Sequence, residues 1–474
     1  MTETPTVSPP DTRKASPPDS PKGGQVRNVG LLLAVVCAVQ FLDAMDIASM
    51  GPALPQVQRD LGMSADALQW VVSAYALGFG GFLLLGGRLA DLFSRRRLLI
   101  GWLLVFAVAS LAGGLADDGL VLVVARLLKG VSAGFTAPVA MAVLLDAFRE
   151  EKARNRALGT FLAISSAGYS LGLVLGGLLT ELSWRLVLFL PAAVGVVVAV
   201  LASIVVPHGR RHEGGRGRLD VLGAVTVTGG ALALVYGVGR SSATGWGDPI
   251  TAGSLAASVV LLVAFVLVER AHRAPLVPLA IFTRPRMSLA NLCMLMFGAY
   301  VAFQFVLTLY YQNELGWSPL QAALAFLLGG ALTAGTARYG ASAVTRYGVW
   351  PVATAGLLML GSGYLAWVLL IGRVDPLVIL IVQQLLGGFG FAAAYPALNI
   401  AAVASAREDE QGLAAGLFNA SAQLGTGLVI AVTATTLTSH ADAALGGYRA
   451  GLWTITAITA VIALLAAMGA KRAS

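Results

Sequence analysis

The sequence predicts an all-α polytopic membrane protein, and its composition and the arrangement of its apolar residues carry that prediction. Of the 474 residues, 57% are hydrophobic and only 12% are charged, whereas a soluble domain carries about 25% charged residues. The apolar residues occur in long blocks, each close to the roughly 20 residues that a bilayer-spanning helix needs. These observations exclude a soluble globular fold.

Fourteen apolar segments follow a polar stretch at residues 1–28 that is rich in proline and serine. We expect this stretch to be a disordered cytoplasmic tail, because it is too polar to bury a core. It does not have the layout of a cleavable signal peptide, so the first segment is expected to remain as a membrane helix. The predicted segments are Val29–Met50, Ala67–Ala90, Leu98–Leu115, Leu120–Ala147, Leu158–Leu179, Trp184–Val206, Leu219–Val238, Ile250–Val268, Ser288–Tyr311, Ser318–Tyr339, Trp350–Ile371, Leu377–Ala404, Leu413–Thr438 and Leu452–Ala470.

The positive charges between these segments are divided unequally. With the N-terminus in the cytoplasm, 25 of the 32 lysines and arginines lie in cytoplasmic tails and loops, and five lie outside. The positive-inside rule accounts for this asymmetry and predicts a multi-pass protein of the cell (inner or plasma) membrane with both termini cytoplasmic. It also explains the net charge of +8, because no basic face with interleaved aromatic residues predicts nucleic-acid binding.

The sequence contains no pattern typical of an enzyme. No loop is long enough for a folded catalytic domain, and there is no Walker-type loop, HExxH motif or cysteine–histidine cluster. The two cysteines, Cys37 and Cys293, both lie inside apolar segments. We therefore predict no enzymatic activity, no cofactor and no metal site.

A weak internal repeat divides the chain into halves. Residues 87–95 follow the second segment, and a degraded echo at residues 340–348 follows the tenth. Parallel halves of this kind are typical of transporters that rock two bundles around a central site. We predict an N-terminal six-helix bundle at residues 29–206, two inserted transmembrane helices with cytoplasmic linkers at 207–287, and a C-terminal six-helix bundle at 288–474.

Three motifs carry a resemblance to the major facilitator superfamily. The most specific is Gly87-Arg-Leu-Ala-Asp91-Leu-Phe-Ser-Arg95-Arg96, which resembles the cytoplasmic signature of that family, with Ser94 in place of the usual second glycine. Arg126-Leu-Leu-Lys129-Gly130 resembles the helix-four motif, with Lys129 where a glutamine is common. Residues 168–177 resemble the antiporter motif of helix five, with Leu173 where a proline is usual.

Further motifs narrow the resemblance to the fourteen-helix drug:proton antiporter branch of that family. They are residues 46–55 at the end of the first segment, residues 69–75 in the second and residues 219–223 at the start of the seventh. The resemblance covers nearly the whole chain after residue 28. It implies a major facilitator fold with two six-helix bundles plus two extra central helices, and a function in multidrug or antibiotic efflux.

Four ionisable residues lie at membrane depth. Asp43 and Asp46 are about 60° apart on one face of the first helix, and an intramembrane carboxylate is a functional hypothesis by default. The pair could hold a proton and release it when a cation or water arrives. Arg126 and Lys129 share a face of the fourth helix, and we expect them to face a cavity and to meet these carboxylates or a substrate. The resemblance gives Arg126 a role in proton coupling; the alternative is a structural ion pair. Lys129 could instead favour an anionic substrate.

Two motifs are expected to control the conformation. Gly168, Gly172 and Gly176 form a GxxxGxxxG series, followed by Gly177, and small residues at this spacing allow helices to approach closely. We interpret them as a gate motif of helix five, beyond their role in packing. The resemblance suggests a latch between the halves, formed by the cytoplasmic residues Gly87, Asp91, Arg95 and Arg96. The alternative is that the arginines only set the topology.

The second half contains polar and aromatic residues that could line a largely apolar pocket for an amphipathic substrate. Each of them could equally be part of an interhelical hydrogen bond. The candidates for substrate contact, together with Lys129, are Gln304, Tyr310, Gln312, Gln384, Tyr395, Asn399, Asn419 and Gln423.

These observations predict a proton-coupled secondary active exporter of drugs, antibiotics or other amphipathic small molecules, working by alternating access. Its expected partners are a small-molecule substrate, protons and the lipid bilayer, and it is expected to function as a monomer. A proton-coupled importer or metabolite exchanger of the same fold is the alternative: Leu173 favours it weakly, and the glycine series opposes it. A membrane sensor or intramembrane enzyme is disfavoured, because the chain has no room for an output domain and no clustered catalytic residues.

Overall fold

The computed structural model describes residues 29–148, 150–207, 220–272, 275–407, 410–440 and 445–471. Within these ranges, fourteen helical spans are long and apolar enough to cross a membrane, which confirms the predicted all-α polytopic fold. The predicted tail at residues 1–28 lies outside the described residues. The helices are α1 (Val29–Asp60), α2 (Ala65–Leu92), α3 (Arg95–Gly114), α4 (Gly119–Ala147), α5 (Glu151–Leu182), α6 (Leu186–Val205), α7 (Val221–Thr244), α8 (Pro249–Ala271), α9 (Pro285–Cys293), α10 (Leu295–Asn313), α11 (Pro319–Tyr347), α12 (Val349–Leu370), α13 (Pro376–Ala404), α14 (Gln411–Thr438) and α15 (Gly446–Lys471).

Several helix ends differ from the predicted ones by a few residues, and two differences change the course of a span. The first segment was predicted to end at Met50, but α1 continues through Pro52 and Pro55 to Asp60. A proline inside a membrane helix is tolerated where neighbouring helices and local backbone adjustment satisfy the freed carbonyl groups. The ninth segment was predicted as one helix but consists of α9 and α10, which meet at Met294 and together form one span.

Polar side chains cap the start of several spans. At α11, the Ser318 hydroxyl accepts a hydrogen bond from the Gln321 N–H, and the Gln321 side chain accepts one from the Ser318 N–H. Because the first N–H groups of a helix have no partner within it, such caps fix where a span begins. Aspartate side chains cap four further helices, namely α4 (Asp118), α7 (Asp220), α8 (Asp248) and α13 (Asp375).

The helices form two groups that pack mainly within themselves. In the first, α1 packs on α5, α2 on α4, and α3 on both α4 and α6; in the second, α10 packs on α14, α11 on α13, and α12 on α13 and α15. We call α1–α6 the N bundle and α9–α15 the C bundle. Helix α7 packs against α2 and α14, one helix of each bundle, and α8 packs on α7. The inserted pair therefore covers the seam between α2 and α14.

The fourteen spans place the start of α1 and the end of α15 on the same side of the molecule. We call this side the terminal face and the other side the opposite face. Near the opposite face the two bundles are joined by hydrogen bonds. The Gln312 side chain donates to the Pro52 carbonyl at 2.8 Å, and the Ser318 hydroxyl donates to the Glu181 carboxylate at 2.8 Å.

The seam between α5 and α11 is closed over only part of its length. From the opposite face it is closed as far as Ser170 and Gly330, where a Cβ on the glycine would lie 3.4 Å from the serine hydroxyl. Towards the terminal face, Ser166 of α5 and Ala334 of α11 are exposed. A Cβ at Gly159 would meet no atom within 4 Å. In this conformation, the bundles are joined near the opposite face and separate along this seam towards the terminal face.

Candidate functional site

Asp46 of α1 is held by two cations of α4. The Arg126 Nη1 donates to Asp46 Oδ2 at 2.6 Å, and the Lys129 Nζ donates to Asp46 Oδ1. The three side chains are each at most 1% exposed. Each oxygen of the carboxylate therefore has its own cationic partner inside the protein.

The helices bring these groups together because small residues allow a close approach. A Cβ on Gly130 would collide with the Tyr75 carbonyl, so glycine at this position lets α4 pack directly on α2. Arg126 then donates its Nε to the Val71 carbonyl at 2.8 Å, and its guanidinium lies 4.5 Å from the centre of the Tyr75 ring. Contacts to both α1 and α2 thus fix the guanidinium.

Asp43 lies one turn earlier on α1 and has a different environment. It is 3% exposed, and the Thr136 hydroxyl of α4 donates to its Oδ2 at 3.2 Å. Among the described residues, no lysine or arginine forms an ion pair with it. Asp43, Asp46, Arg126 and Lys129, which we call the charge cluster, have a net charge of zero when all four are ionised.

Arg126 and Lys129 meet a carboxylate of the first helix, as predicted, but the prediction that they face a cavity is wrong for this conformation. Their side chains are 1% and 0% exposed, and the Lys129 Nζ lies 4.7 Å from the centre of the Phe106 ring. Lys129 was predicted as a candidate contact for an anionic substrate, but here its ammonium is enclosed by Asp46 and an aromatic face. Two buried cations can remain in this position because a carboxylate and ring faces surround them.

The glycines of α5 lie against the same stretch of α1. A Cβ on Gly168 would be 2.9 Å from the Phe41 carbonyl oxygen, and one on Gly172 would be 2.7 Å from the Met45 carbonyl oxygen. Gly176 packs on Ser49 in the same way. Three of the four predicted gate residues therefore lie inside the N bundle, where they hold α5 against the helix that carries the two aspartates.

Gly177 lies in a different contact from the other three glycines. A Cβ at this position would be 2.8 Å from the Leu320 Cα and 2.9 Å from the Ala323 Cβ, both in α11. It is the member of the series that touches the other bundle. The sequence spacing groups the four glycines, but the structure assigns them to two seams.

The predicted latch residues make their described contacts within the N bundle. Arg95 donates to the Ala90 carbonyl at 3.0 Å and to the Ala142 carbonyl at 3.1 Å, and it also pairs with Asp146. Arg96 donates to the Ser203 carbonyl. Gly87 lies next to α4, where a Cβ would be 3.9 Å from the Pro138 Cβ. The side chain of Asp91 lies outside the described residues. Sequence reasoning missed Asp146, whose position is clear only once α2, α3 and α4 are assembled.

Three of the predicted substrate residues lie between the bundles. Gln304 accepts a hydrogen bond from the Tyr169 hydroxyl of α5 at 2.6 Å and donates to the Tyr300 hydroxyl at 3.2 Å. Gln312 bonds to α1, as described above. Gln423 of α14 packs against α2, where a Cβ on Gly80 would be 2.9 Å from its Cβ.

The other predicted polar residues are not brought together. Gln384 donates to the Ala325 carbonyl within the C bundle, and Tyr310 packs between Trp367 and Tyr448 in the same bundle. Asn419 is exposed and bonds to the Ala415 carbonyl of its own helix at 3.0 Å. Asn399 is half-buried on α13.

Tyr395 belongs to an aromatic surface of the C bundle that sequence reasoning identified only in part. Its ring stacks on Phe391 with the centres 5.4 Å apart, and Phe391 lies 4.8 Å from Tyr300. Phe297 lies 6.3 Å from Phe391. All four rings are half-buried, and we call them the aromatic surface. Beside Tyr300, the Tyr169–Gln304 contact lines a cavity of about 30 Å³ between the bundles, which has room for about one water molecule.

Comparisons with known proteins agree with this architecture. The chain matches the sequence profile of the Major Facilitator Superfamily over residues 36–430. It is 38% identical over 426 residues to a puromycin resistance protein of Streptomyces alboniger, and the aligned region covers 88% of this chain and 83% of that protein. It is 42% identical over 298 residues to a cephamycin export protein of Amycolatopsis lactamdurans, and the aligned region covers 62% of this chain and 61% of that protein. The crystal structure of the POT family transporter PepTSo has the same fold, with a TM-score of 0.70 at 14% identity over 93% of this chain and 98% of that one.

Proposed function

Because this chain belongs to the major facilitator superfamily and is a multi-pass membrane transporter, we propose that it exports antibiotic-like amphipathic molecules in exchange for protons. The direction of transport is supported by the relatives, since one carries resistance to puromycin in its name and another carries export of cephamycin. Both similarities extend over much of the chain and are not confined to a single motif.

The charge cluster is the observation that carries proton coupling. Ionised groups at membrane depth are costly and are usually retained for function. Here two carboxylates and two cations are each at most 3% exposed, at the centre of the N bundle. A group of this kind can change its net charge by binding a proton, and a charge change inside a bundle is a means of coupling proton binding to bundle movement.

The open seam between α5 and α11 supports alternating access. Loops that would lie at the terminal face carry most of the lysines and arginines, so we assign this face to the cytoplasm by the positive-inside rule. The described conformation then receives substrate from the cytoplasmic side. Rocking of the bundles would close this seam and break the Gln312–Pro52 and Ser318–Glu181 contacts near the opposite face.

The aromatic surface is the best candidate for substrate contact. It faces the interface between the bundles through Tyr300, which is linked by Gln304 to Tyr169 of the other bundle. Half-buried rings offer stacking and apolar area for bulky, partly aromatic molecules, and the neighbouring phenol and amide groups orient them.

The driving force is adequate for export. One proton that moves down a membrane potential of about 100 mV releases about 2.3 kcal/mol. At about 1.4 kcal/mol per tenfold change in concentration, this supports a substrate gradient of roughly fortyfold.

The proposal is tested with the purified protein in inside-out vesicles that hold an acid-inside pH gradient. Radiolabelled puromycin is added, and both its accumulation and the collapse of the gradient are followed. We expect wild-type protein to accumulate puromycin and to release protons from the lumen in parallel, and we expect Asp46→Asn to lose both.

The matched control is Asp117→Asn, because the Asp117 side chain is 91% exposed and pairs only with the surface residue Arg185 among the described residues. It should behave as wild type. Accumulation of puromycin that is insensitive to the gradient would contradict proton coupling. Transport of both puromycin and a cephamycin in the direction opposite to export would favour the importer alternative.

A further inference from the structure

The two aspartates of α1 occupy different environments, and this difference separates their roles. Both oxygens of Asp46 are occupied, one by Arg126 and the other by Lys129. Asp43 accepts a single described hydrogen bond, from the uncharged hydroxyl of Thr136. Resting on the proton-coupled function proposed above, we propose that Asp43 binds and releases the transported proton and that Asp46 remains an ionised counterion.

The geometry at Asp46 opposes protonation there. A proton on either Oδ atom would displace the Arg126 or the Lys129 contact. The displaced cation would then be buried without a partner, which is the costliest arrangement for an ion pair of this kind. Arg126 is also fixed in place through its Nε, which donates to the Val71 carbonyl.

The net charge of the charge cluster depends on whether Asp43 carries a proton. With Asp43 ionised, the two carboxylates offset Arg126 and Lys129, and the charge cluster is neutral. With Asp43 protonated, a net charge of +1 lies among side chains that are at most 3% exposed. Asp43 thus supplies the charge that the additional lysine on α4 requires.

Few other titratable groups surround Asp43. Those that face it are Asp46 on its own helix, Lys129 on α4 and the phenol of Tyr75 on α2. Helix α6 contains no ionisable residue, and Tyr169 of α5 is bonded to Gln304. Helix α5 approaches this part of α1 through Gly168 and Gly172.

The proton step is simple in its balance. A proton from water adds to one carboxylate oxygen of Asp43 and forms an O–H bond, and the cluster changes from neutral to +1. Release to water breaks that bond and restores neutrality. The loaded state therefore holds the uncompensated charge, which is the state on which the membrane potential acts.

Two charge-balanced double variants distinguish the aspartates. Asp43→Asn with Lys129→Gln leaves the Asp46–Arg126 pair, and Asp46→Asn with Lys129→Gln leaves Asp43 and Arg126. Each retains a net charge of zero with its remaining groups ionised. Infrared difference spectra of the reconstituted proteins between mildly alkaline and mildly acidic pH report the C=O stretch of a newly protonated buried carboxyl, without any substrate.

We expect the buried carboxyl band in wild type and in Asp46→Asn/Lys129→Gln, and we expect its loss in Asp43→Asn/Lys129→Gln. Persistence of the band in the latter, its loss in the former, or its absence from wild type would overturn the assignment. Should a double variant not fold, Thr136→Val serves instead. It removes the hydroxyl that bonds to Asp43, so the band should shift in frequency and in pH midpoint, and an unchanged band would contradict the proposal.

This measurement separates the assignment from the function on which it rests. A band that follows Asp43, together with puromycin transport that ignores the pH gradient, would retain the titration of Asp43 and reject proton coupling. Coupled transport with a band that follows Asp46 would retain the function and reject the assignment.

Discussion

Asp46 stabilises two cations at once, so its loss has a larger effect than the loss of an ordinary ion pair. Removal of one member of a buried pair leaves an uncompensated charge, whereas removal of both members is often tolerated. In the charge cluster, the Asp46 carboxylate is shared by Arg126 and Lys129. The energetic role of each residue therefore depends on which of its partners remains.

We expect Asp46→Asn to destabilise the protein by about 3–5 kcal/mol, because two buried cations lose their counterion. The second change Lys129→Gln should recover part of this loss. Thermal unfolding of the purified protein in detergent measures both effects. Asp117→Asn is the control and should cost at most about 1 kcal/mol, as for an exposed pair. Equal losses of stability in Asp46→Asn and in the control would contradict the ion pairs described for Asp46.

Glu410 lies outside the membrane spans and makes a pH-dependent contribution to the stability of the fold. Arg284 donates to its carboxylate at 2.6 Å and the Arg407 N–H donates at 3.1 Å, and these bonds, led by that from Arg284, lower the pKa of Glu410. A pKa lowered by folding stabilises the fold above the usual glutamate pKa and loses that effect as the pH falls through the folded-state pKa.

Glu410→Gln should therefore lower the melting temperature at neutral pH, and the difference from wild type should shrink as the solution becomes acidic. Melting curves at several pH values test this expectation. Glu151→Gln, at an exposed position in the first turn of α5, is the matched control. A difference for Glu410→Gln that grows with acidification would contradict the sign.

At this scale the sequence predicted which charged residues share a helix face better than it predicted their environments. The three-residue spacing of Asp43 and Asp46, and of Arg126 and Lys129, is enough to place each pair on one helix face. Whether the cations face a cavity or a carboxylate depends on the distance between α1, α2 and α4. That distance is set by contacts such as Gly130 on Tyr75, which appear only in the assembled bundle.

Helices α1 and α5 form a seam in which glycine is required at successive turns. Gly168, Gly172 and Gly176 each place the α5 backbone against a backbone group of α1. Without a side chain between them, the helices approach closely, as is common in membrane bundles. The same seam positions the part of α1 that carries Asp43 and Asp46.

Gly172→Ala should destabilise the N bundle by about 1–3 kcal/mol through overpacking, because the new Cβ would lie 2.7 Å from the Met45 carbonyl oxygen. Transport should fall with it, since α1 must shift. Gly159→Ala on the same helix has no neighbour within 4 Å and should be neutral or slightly stabilising. Thermal unfolding and the vesicle assay compare the two variants, and the same result in both would exclude the close seam.

The apolar cores of the helices were predictable, but several helix ends were not. The first segment was predicted to end at Met50, yet α1 continues through Pro52 and Pro55 to Asp60. No proline or glycine lies at the break between α9 and α10 at Met294, so the sequence did not indicate it. The local sequence pattern indicated neither feature.

For the whole molecule, the described conformation predicts which cysteine pairs can form a cross-link. In a background with Cys37→Ala and Cys293→Ala, the pair Glu181→Cys and Ser318→Cys replaces two side chains that are hydrogen-bonded at 2.8 Å. Oxidation should link the bundles near the opposite face, stop transport and be reversed by reduction. The measurement is a shift on gel electrophoresis after proteolysis between the bundles.

The comparison pair is Ser166→Cys with Ala334→Cys, which lie on the same seam where both helices are exposed. It should react slowly in this conformation and faster when the bundles rock. If the second pair links readily and the first does not, the resting protein is closed at the terminal face and the described state is a minor one.

The fold of the whole molecule was the most predictable level. Fourteen apolar segments of sufficient length indicate membrane-spanning helices, because the backbone N–H and C=O groups of such a lipid-exposed segment must form hydrogen bonds within the helix. The position of α7 and α8 was not predictable, because both are apolar on most sides and their sequence does not specify which helices they cover. Packing of α7 on both α2 and α14 emerges only from the assembled bundles.

That packing makes the transporter asymmetric towards its lipid surroundings. A bilayer solute that diffuses within the leaflet beside the terminal face meets α7 and α8 on one flank, where they shield the α2–α14 seam. On the other flank it meets the gap between α5 and α11. For the proposed export of amphipathic molecules, this arrangement predicts a lateral entrance from the lipid on the α5–α11 flank, while the inserted helices α7 and α8 cover the other flank.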